Sequence, residues 1–228
     1  MECIYLEKLE QNTKQIIIPD SELRHIKVLR LGVDEKILAT NGRGIQAYIS
    51  IENIYNKTYA TNIQFINGLD RELKIKLGLA MGKLDNRDRF EFAFEKSIEL
   101  GITDFYILNT EFSQKKEYTK ERMLSKAIAT LKQCKRSILP NIYYLGDIKD
   151  MQEYVEKYNT CILTSEDGEK IKVIQPQDTL IFIGPEGGFS KTEIDFLMNF
   201  KNMKKVNLGN RRLRSETAAI LSVGLFSL

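Results

Sequence analysis

The residues with the clearest chemical pattern form a glycine-rich loop, Ile183-Gly184-Pro185-Glu186-Gly187-Gly188-Phe189-Ser190. The apolar run TLIFI ends in this loop, and Ser190 stands three residues before Glu193, the spacing of a capping box that begins a helix. Such a loop lets backbone amides approach a ligand closely, because glycine lacks a side chain. It matches neither GxxxxGK[ST] nor GxGxxG, and taken alone its glycines are equally consistent with a tight turn.

A second segment, LGNRRLRSETAA at residues 208–219, also joins a predicted strand to a predicted helix. The helix reads AAILSVGLF and is apolar all round, which is typical of burial in a core or an interface. Arg214 and Glu216 stand at its start, where they either face a cleft or pair with each other. Parallel sheets bind ligands at strand ends, so this segment favours a binding site over a simple turn.

Histidine and cysteine chemistry is limited by composition. The chain has one histidine, His25, and three cysteines without a CxxC spacing, Cys3, Cys134 and Cys161. A disulfide framework and a thiolate zinc site are therefore unsupported, and a Ser-His-Asp triad would have to use His25. We expect the cysteines to stay reduced, and no metal is predicted.

Length and composition indicate a globular protein. The chain has 228 residues, of which 43% are hydrophobic and 29% charged, enough for one large domain or two small ones. Its apolar runs fall short of the roughly 18 residues that a membrane span needs. The charged N-terminus, MECIYLEKLE, lacks the apolar run of a signal peptide. We therefore expect a cytoplasmic protein without a membrane partner.

Positive charge is concentrated in two segments, although the net charge is only +3. Residues 113–140 contain eight basic and two acidic residues, and residues 201–214 contain six basic residues and no acid. One such run is commonly a solvated helix face. Two runs, one of them crossing a predicted strand end, favour attraction to a phosphate backbone.

The pattern of elements changes near residue 70. Short runs rich in β-branched and aromatic residues precede it, with one helix at 20–30, and predict a compact β-barrel-like domain. Strands and helices alternate after it, which predicts an α/β domain with a parallel sheet. The helices are predicted at residues 87–100, 119–137, 149–158, 190–200 and 214–226.

Together these motifs resemble one known family. IGPEGGFS and LGNRRLRSETA, with Lys96-Ser97-Ile98-Glu99-Leu100-Gly101 and Gln133 to Pro140 upstream, are similar to the RsmE family of SPOUT-class methyltransferases. These enzymes methylate N3 of a uridine in 16S rRNA with S-adenosylmethionine (SAM). The resemblance runs from His25 to Leu225.

The resemblance implies an architecture. Residues 1–70 would form a PUA-like RNA-binding β-barrel, and residues 71–228 a SPOUT α/β domain with a trefoil knot. It also implies a homodimer that acts on 16S rRNA or the small ribosomal subunit. The knot comes wholly from the resemblance, since threaded chains are rare.

The resemblance also implies the site residues. SAM would be held by backbone groups of three loops, and Leu208 and Leu213 would wall the adenine. The implied cofactor-binding residues are Leu163, Thr164, Gly184, Pro185, Glu186, Gly187, Gly188, Leu208, Gly209 and Leu213.

Arg214 and Glu216 are the implied catalytic residues. Uridine N3 is a poor nucleophile while protonated, so its proton must leave and the charge on O2 and O4 must be stabilised. A guanidinium fork suits that stabilisation, which favours Arg214, while Glu216 is the weaker candidate for proton acceptor. His25 and Arg30 match a motif of the barrel and are assigned to folding.

The sequence departs from the family in three places. Its first strand carries the acids Glu2 and Glu7, its central helix carries Lys132 and Lys135, and residues 84–87 are inserted before the matching Asp88-Arg89. Two alternatives stay open: another SPOUT specificity such as ribose 2'-O methylation, and an inactive RNA-binding or ribosome-assembly protein.

Overall fold

The computed structural model describes residues 2–28, 36–114, 116–171 and 176–227. The chain divides into two compact units, Met1–Glu72 with Ser125–Leu139, and Leu73–Leu124 with Pro140–Leu228. The first unit thus includes a segment that the sequence analysis assigns to the C-terminal domain. The predicted domain boundary at residue 70 stays a prediction.

The first unit contains a five-stranded sheet of order β1-β3-β4-β5-β2, in which β1 pairs parallel with β3 and the other neighbours are antiparallel. Its elements are β1 (Cys3–Tyr5), β2 (Ile16–Ile17), α1 (Asp20–Val28), β3 (Ile37–Thr40), β4 (Ile45–Ile54), β5 (Lys57–Asn67) and a 3-10 helix (Gly68–Arg71). Its core includes the fully buried Ile4, Leu9 and Ile37. The barrel-like β architecture predicted for this part of the chain is confirmed.

The second unit is built around a six-stranded sheet of order β11-β9-β10-β6-β7-β8, and every pair of neighbours is parallel. Its elements are β6 (Leu77–Gly82), α2 (Arg87–Glu99), β7 (Asp104–Leu108), the first turn of α3 (Lys120–Cys134, whose residues 125–134 belong to the first unit), β8 (Asn141–Leu145), a 3-10 helix (Ile148–Met151), α4 (Gln152–Val155), β9 (Thr160–Lys170), β10 (Thr179–Ile183), α5 (Lys191–Met198), β11 (Met203–Asn207) and α6 (Ser215–Ser227).

The central strands of this sheet are covered on both faces. Every residue of β6, β7 and β10 is buried, as expected for parallel strands flanked by helices. The core contains Ala80, Tyr106, Leu163, Leu180 and Phe182. The predicted parallel α/β domain is confirmed, whereas the trefoil knot stays a prediction.

The helices begin close to their predicted positions, but two end differently. Helix α3 stops at Cys134 rather than residue 137 because Lys135 adopts φ 59°, a left-handed conformation that ends a helix. The helix predicted at 149–158 is a 3-10 turn followed by the short α4, and a capping box between Asp147 and Asp150 begins that turn. Residues 29 and 30 of the predicted first helix and the side chain of His25 lie outside the described part of the chain.

The three cysteines are free. Burial raises the pKa of the Cys3 and Cys161 thiols to about 12, so both are protonated at neutral pH. Neither thiol is a nucleophile in this state, because the thiolate is the reactive form. Across the described ranges, no helix combines the length and apolar character that crossing a bilayer requires.

Candidate functional site

A cavity of about 730 Å³ lies at the end of β10, beside the middle of β9 and the start of α6. Because β9 and β10 pair in parallel, with Leu163 opposite Phe182, residues 164–166 of β9 lie beside the loop that follows β10. The Thr164 hydroxyl donates a hydrogen bond to the Phe182 carbonyl at 3.0 Å and ties the two strands together there. The cavity therefore occupies the position at which open parallel sheets bind ligands.

Most of the residues predicted for the site line this cavity. The predicted residues that line it are Leu163, Thr164, Gly184, Pro185, Glu186, Gly187, Gly188, Leu213, Arg214 and Glu216. Leu208 and Gly209 line an adjoining hollow of about 120 Å³ instead, which shares Thr164 and Leu213 with the main cavity. The three predicted loops thus meet at one place on the second unit.

The glycine loop needs its glycines for steric reasons. A Cβ on Gly184 would lie 2.9 Å from the Cα of Gly188, and one on Gly187 would lie 2.9 Å from the Cβ of Phe112. Gly188 differs, because its φ of +74° is left-handed and nothing lies within 4 Å of a Cβ built there. Its backbone is therefore open to a ligand on the side where other residues carry a side chain.

The predicted capping box after this loop is confirmed. The Ser190 hydroxyl accepts from the Glu193 amide at 3.4 Å, and the Glu193 carboxylate accepts from the Ser190 amide at 2.8 Å. The other carboxylate oxygen of Glu193 accepts from the Glu111 amide at 2.8 Å. These bonds fix the point at which the loop enters α5.

The segment before α6 has its own fixed geometry. The Asn207 side-chain oxygen accepts from the amide of Gly209 at 2.7 Å. Gly209 adopts φ +134° and has open space where a Cβ would lie. Both open glycines, Gly188 and Gly209, thus expose backbone around the two hollows.

Charged side chains of both signs face the main cavity. Its carboxylates belong to Glu166, Glu186 and Glu216, and its guanidinium groups to Arg89, Arg212 and Arg214. Glu186 is held in place, because its carboxylate accepts from the Asp85 amide at 3.2 Å. Arg214 is exposed, and within the described residues its guanidinium has no ion pair or hydrogen bond.

Arg89 is a cavity residue that the sequence analysis did not select. It lies in the first turn of α2, and its Nε is 3.7 Å from Oε1 of Glu216. Arg89 and Glu216 are far apart in sequence, so no local pattern brings them together. The signal that could have found Arg89 is its place in the Asp88-Arg89 match to the family.

At least four of the eight basic residues in the first basic segment pair with acids from elsewhere in the chain. Each of the following pairs has a closest contact of 3.6 Å or less: Lys116 with Asp85, Arg122 with Glu91, Lys132 with Glu22, and Arg136 with Glu72. These four cations belong to the eight counted in residues 113–140. The positive charge of this segment is therefore less available to a nucleic acid than its composition indicates.

The class of protein follows from this sheet, this cavity and a match to known domains. Residues 71–227 match the family described as RNA methyltransferase domain, and residues 18–55 match the family described as RNA methyltransferase PUA domain. The first match covers more than half of the chain. The protein is an RNA methyltransferase of the α/β class.

Curated relatives identify the family more closely. Ribosomal RNA small subunit methyltransferase E of Mesomycoplasma hyopneumoniae is 30% identical over 92% of this chain and 93% of its own length. The protein of the same name in Rickettsia conorii is 29% identical over 96% of this chain and 92% of its own. The chain belongs to the ribosomal RNA small subunit methyltransferase E family, as its motifs predict.

Solved structures share the fold over nearly the whole chain. A methyltransferase of Legionella pneumophila in complex with SAM is 26% identical, has a TM-score of 0.83 and covers 98% of this chain and 96% of its own. Ribosomal RNA small subunit methyltransferase E of Neisseria gonorrhoeae, also bound to SAM, has a TM-score of 0.85 at 24% identity, with 98% and 95% covered. At 24% identity, the similarity to the Neisseria gonorrhoeae protein shows a shared fold and nothing more.

Proposed function

We propose that this protein transfers a methyl group from SAM to N3 of a uridine in the 16S rRNA of the small ribosomal subunit. The observation that carries the proposal is the cavity that combines the Gly184–Gly188 loop with Arg214 and Glu216 on one α/β unit, next to the hollow lined by Gly209. Its relatives are named for methylation of small-subunit ribosomal RNA. The family and the cavity chemistry point to the same reaction.

The cavity suits SAM in size and lining. Its volume of about 730 Å³ lies in the range of ~300–1,000 Å³ that is usual for small-molecule sites. Leu163, Ile183 and Leu213 supply apolar walls for an adenine ring, and the glycine loops supply open backbone groups. The proposed cofactor contacts are Leu163, Thr164, Gly184, Pro185, Glu186, Gly187, Gly188, Leu208, Gly209 and Leu213.

Bound SAM would supply an electrophilic methyl group. The chain must then hold the uracil in line with that group, accept the N3 proton and stabilise the anion that forms. Arg214 is the proposed stabilising group, because its guanidinium faces the cavity and has no partner among the residues that the structure describes. Glu216 is the proposed proton acceptor, since its carboxylate faces the same cavity.

RNA binding would use the N-terminal domain, residues 1–70, together with exposed cations of the methyltransferase domain, residues 71–228. Arg211 and Arg214 are exposed next to the site, and Lys120 is exposed at the start of α3. Phosphate attraction by such cations is independent of base sequence, so base recognition must come from the cavity. A 16S rRNA substrate implies a cytoplasmic enzyme.

A homodimer is also part of the proposal. Helix α6 has the exposed leucines Leu221 and Leu225 one turn apart, and α2, which packs against α6, has the exposed Phe92. We propose that these side chains contribute to one apolar face of the second unit. A face of this kind on a helix that is apolar all round favours association with a second copy.

The experiment that tests the proposal is transfer of labelled methyl from SAM to small-subunit particles and to deproteinised 16S rRNA, followed by nucleoside analysis. We expect the label as 3-methyluridine. Label in a 2'-O-methylated nucleoside would contradict methylation of the base. SAM binding without methyl transfer to either RNA would contradict 16S rRNA as the substrate. Absence of both binding and transfer would favour the inactive RNA-binding alternative.

A further inference from the structure

The Glu216 carboxylate lies in the cavity with a charge partner but without a hydrogen bond to any described residue. Only 13% of its side chain is exposed, and the nearest cation is the Arg89 guanidinium, whose Nε is 3.7 Å from Oε1. That separation is too long for a hydrogen bond. Within the described residues, neither side chain makes any other hydrogen bond or ion pair.

Because Glu216 lines an open cavity, water can hydrogen-bond its carboxylate in the free protein, and a ligand that enters the cavity can replace that water. Arg89, Glu216 and Arg214 all face the same cavity, and none of the three hydrogen-bonds another group of the described chain through its side chain. Arg212 and Glu166 form a second pair in the cavity at 3.6 Å, but both side chains are about four-fifths exposed. Arg89, Arg214 and the mostly buried Glu216 are therefore the two cationic donors and the acceptor that we assign to a substrate. These groups are available to a substrate rather than used in the fold.

Uracil is the nucleobase whose edge matches this set. Its Watson–Crick edge presents O2, N3–H and O4, which is an acceptor, a donor and an acceptor. The complementary set is donor, acceptor and donor. Two guanidinium groups can donate to O2 and O4, and one carboxylate can accept from N3–H. Cytosine presents a lone pair at N3 and an amino group at position 4, so the same set would face it with two mismatched contacts.

We propose that Arg89 is a substrate-recognition and charge-stabilising residue, which binds one carbonyl oxygen of the target uracil while Glu216 meets N3–H and Arg214 binds the other oxygen. This inference rests on the proposed function, because it assumes that the substrate is a uridine. Enzymes that act on a base read its Watson–Crick edge in this manner. The charge of Arg89 also attracts the Glu216 carboxylate, at 3.7 Å.

The reaction step balances on these groups. The N3 proton passes to the Glu216 carboxylate, the N3 lone pair forms the new bond to the methyl carbon, and the pair of the breaking C–S bond stays on sulfur as S-adenosylhomocysteine leaves. The negative charge that develops on O2 and O4 lies against Arg89 and Arg214. Loss of either guanidinium makes N3–H less acidic in the complex.

The test uses the full-length protein, SAM and small-subunit particles that lack the modification. We expect Arg89→Gln to lower the rate constant of methyl transfer by roughly 10²–10³-fold, as removal of one oxyanion donor does. The pH dependence of that rate should shift to higher pH, since the substrate loses its proton less readily. Arg89→Lys keeps the charge and should restore most of the pH shift, but only part of the rate, because it lacks the guanidinium fork.

The matched control is Lys96→Gln. Lys96 also lies on α2 and is ion-paired, at 2.6 Å from Glu99, but it does not line the cavity. SAM binding, measured by calorimetry, should be the same for the wild type, both Arg89 variants and the control. Such a result would show that the cofactor site and the fold are intact.

Two outcomes would overturn the inference. One is an Arg89→Gln variant with the rate and pH profile of the wild type. The other is an Arg89→Gln variant that is slow only because SAM binding is lost, while its pH profile is unchanged. Failure of the proposed function is distinguishable from both, because the wild type itself would then form no 3-methyluridine.

Discussion

Arg214 is the single residue on which the proposed chemistry depends most. We expect Arg214→Ala to lower the rate constant of methyl transfer by roughly 10²–10³-fold, since one stabilising donor for the uracil anion is lost. SAM affinity should change little, because the cofactor contacts are proposed on the loops. Single-turnover assays and calorimetry measure the two quantities.

Lys157→Ala is the control for Arg214→Ala. Lys157 precedes β9, and its ammonium lies over the ring of Tyr154. It is therefore near the amino-terminal end of β9, whereas the cavity is reached farther along that strand. Removing its charge should leave the rate unchanged. An Arg214→Ala variant with normal turnover would refute the assigned role.

Glu72 is a residue whose importance is structural. Its carboxylate accepts hydrogen bonds from Arg136 at 2.8 Å and from the amides of Ser137 and Ile138 at 2.7 and 3.1 Å. Since the pair is buried, Glu72→Gln should lower the free energy of unfolding by about 3–5 kcal/mol. Denaturant titration measures this loss.

Glu99→Gln provides the comparison for Glu72→Gln. Glu99 pairs with Lys96, but both side chains are about a third exposed. Glu99→Gln should lower the free energy of unfolding by less than about 1 kcal/mol, because solvent screens an exposed ion pair. Equal losses of unfolding free energy for the two substitutions would contradict the assignment. They would show that the buried hydrogen bonds of Glu72 stabilise the first unit no more than an exposed ion pair does.

At the level of elements, the loop before α5 sets the shape of the cofactor site. Gly188→Ala places a Cβ in open space at φ +74°, where a residue other than glycine costs roughly 1–3 kcal/mol of strain. We expect weaker SAM binding, because the methyl group projects from the loop and the loop shifts to relieve the strain. Calorimetry with SAM measures the change.

Gly146→Ala is the matched control for Gly188→Ala. Gly146 has an ordinary φ, and its nearest contact to an added Cβ is the Asp150 carboxylate at 3.7 Å. The Gly146→Ala variant should bind SAM with the affinity of the wild type. Equal affinity of the Gly188→Ala variant and the wild type would show that this loop does not contact the cofactor.

Elements with strong local signals could be predicted from the sequence. The capping box at Ser190 and Glu193 located the start of α5, and the apolar run TLIFI located β10. Helix α3 ended earlier than predicted because the left-handed Lys135 has no local signature. Strand β9 is longer than its apolar run because pairing with β11, across a register shift at Lys205 and Val206, extends it.

The candidate site was predictable only in part, because some of its residues come together through tertiary contacts that leave no local pattern in the sequence. Its loops are continuous motifs, so the family resemblance found them, and the fold brings them together. Arg89 reaches the cavity through the packing of α2 on α6, which is a tertiary contact. Composition likewise counted Lys132 as free positive charge, although Glu22 pairs with it at 2.9 Å.

For the whole molecule, the proposed homodimer makes a direct prediction. Leu221→Glu should shift the protein from dimer to monomer, because association would bury an unpaired charge. Its effect on the stability of the monomer should be small, since 38% of Leu221 is already exposed. Sedimentation velocity at several protein concentrations measures the change.

The control for Leu221→Glu is Ile17→Glu on β2, at a residue that is 48% exposed and belongs to the first unit rather than to the proposed face. This variant should sediment as the wild type does. A wild type that is monomeric at all concentrations, or a dimer insensitive to Leu221→Glu, would contradict association through α6.

The central claim is that this protein forms 3-methyluridine in small-subunit ribosomal RNA. The most direct measurement is mass-spectrometric analysis of nucleosides from the 16S rRNA of cells that lack this modification and express either the wild type or Arg214→Ala. The account predicts 3-methyluridine with the wild type and little or none with the variant at equal protein level. Absence of 3-methyluridine with the wild type, or equal amounts with both, would contradict it.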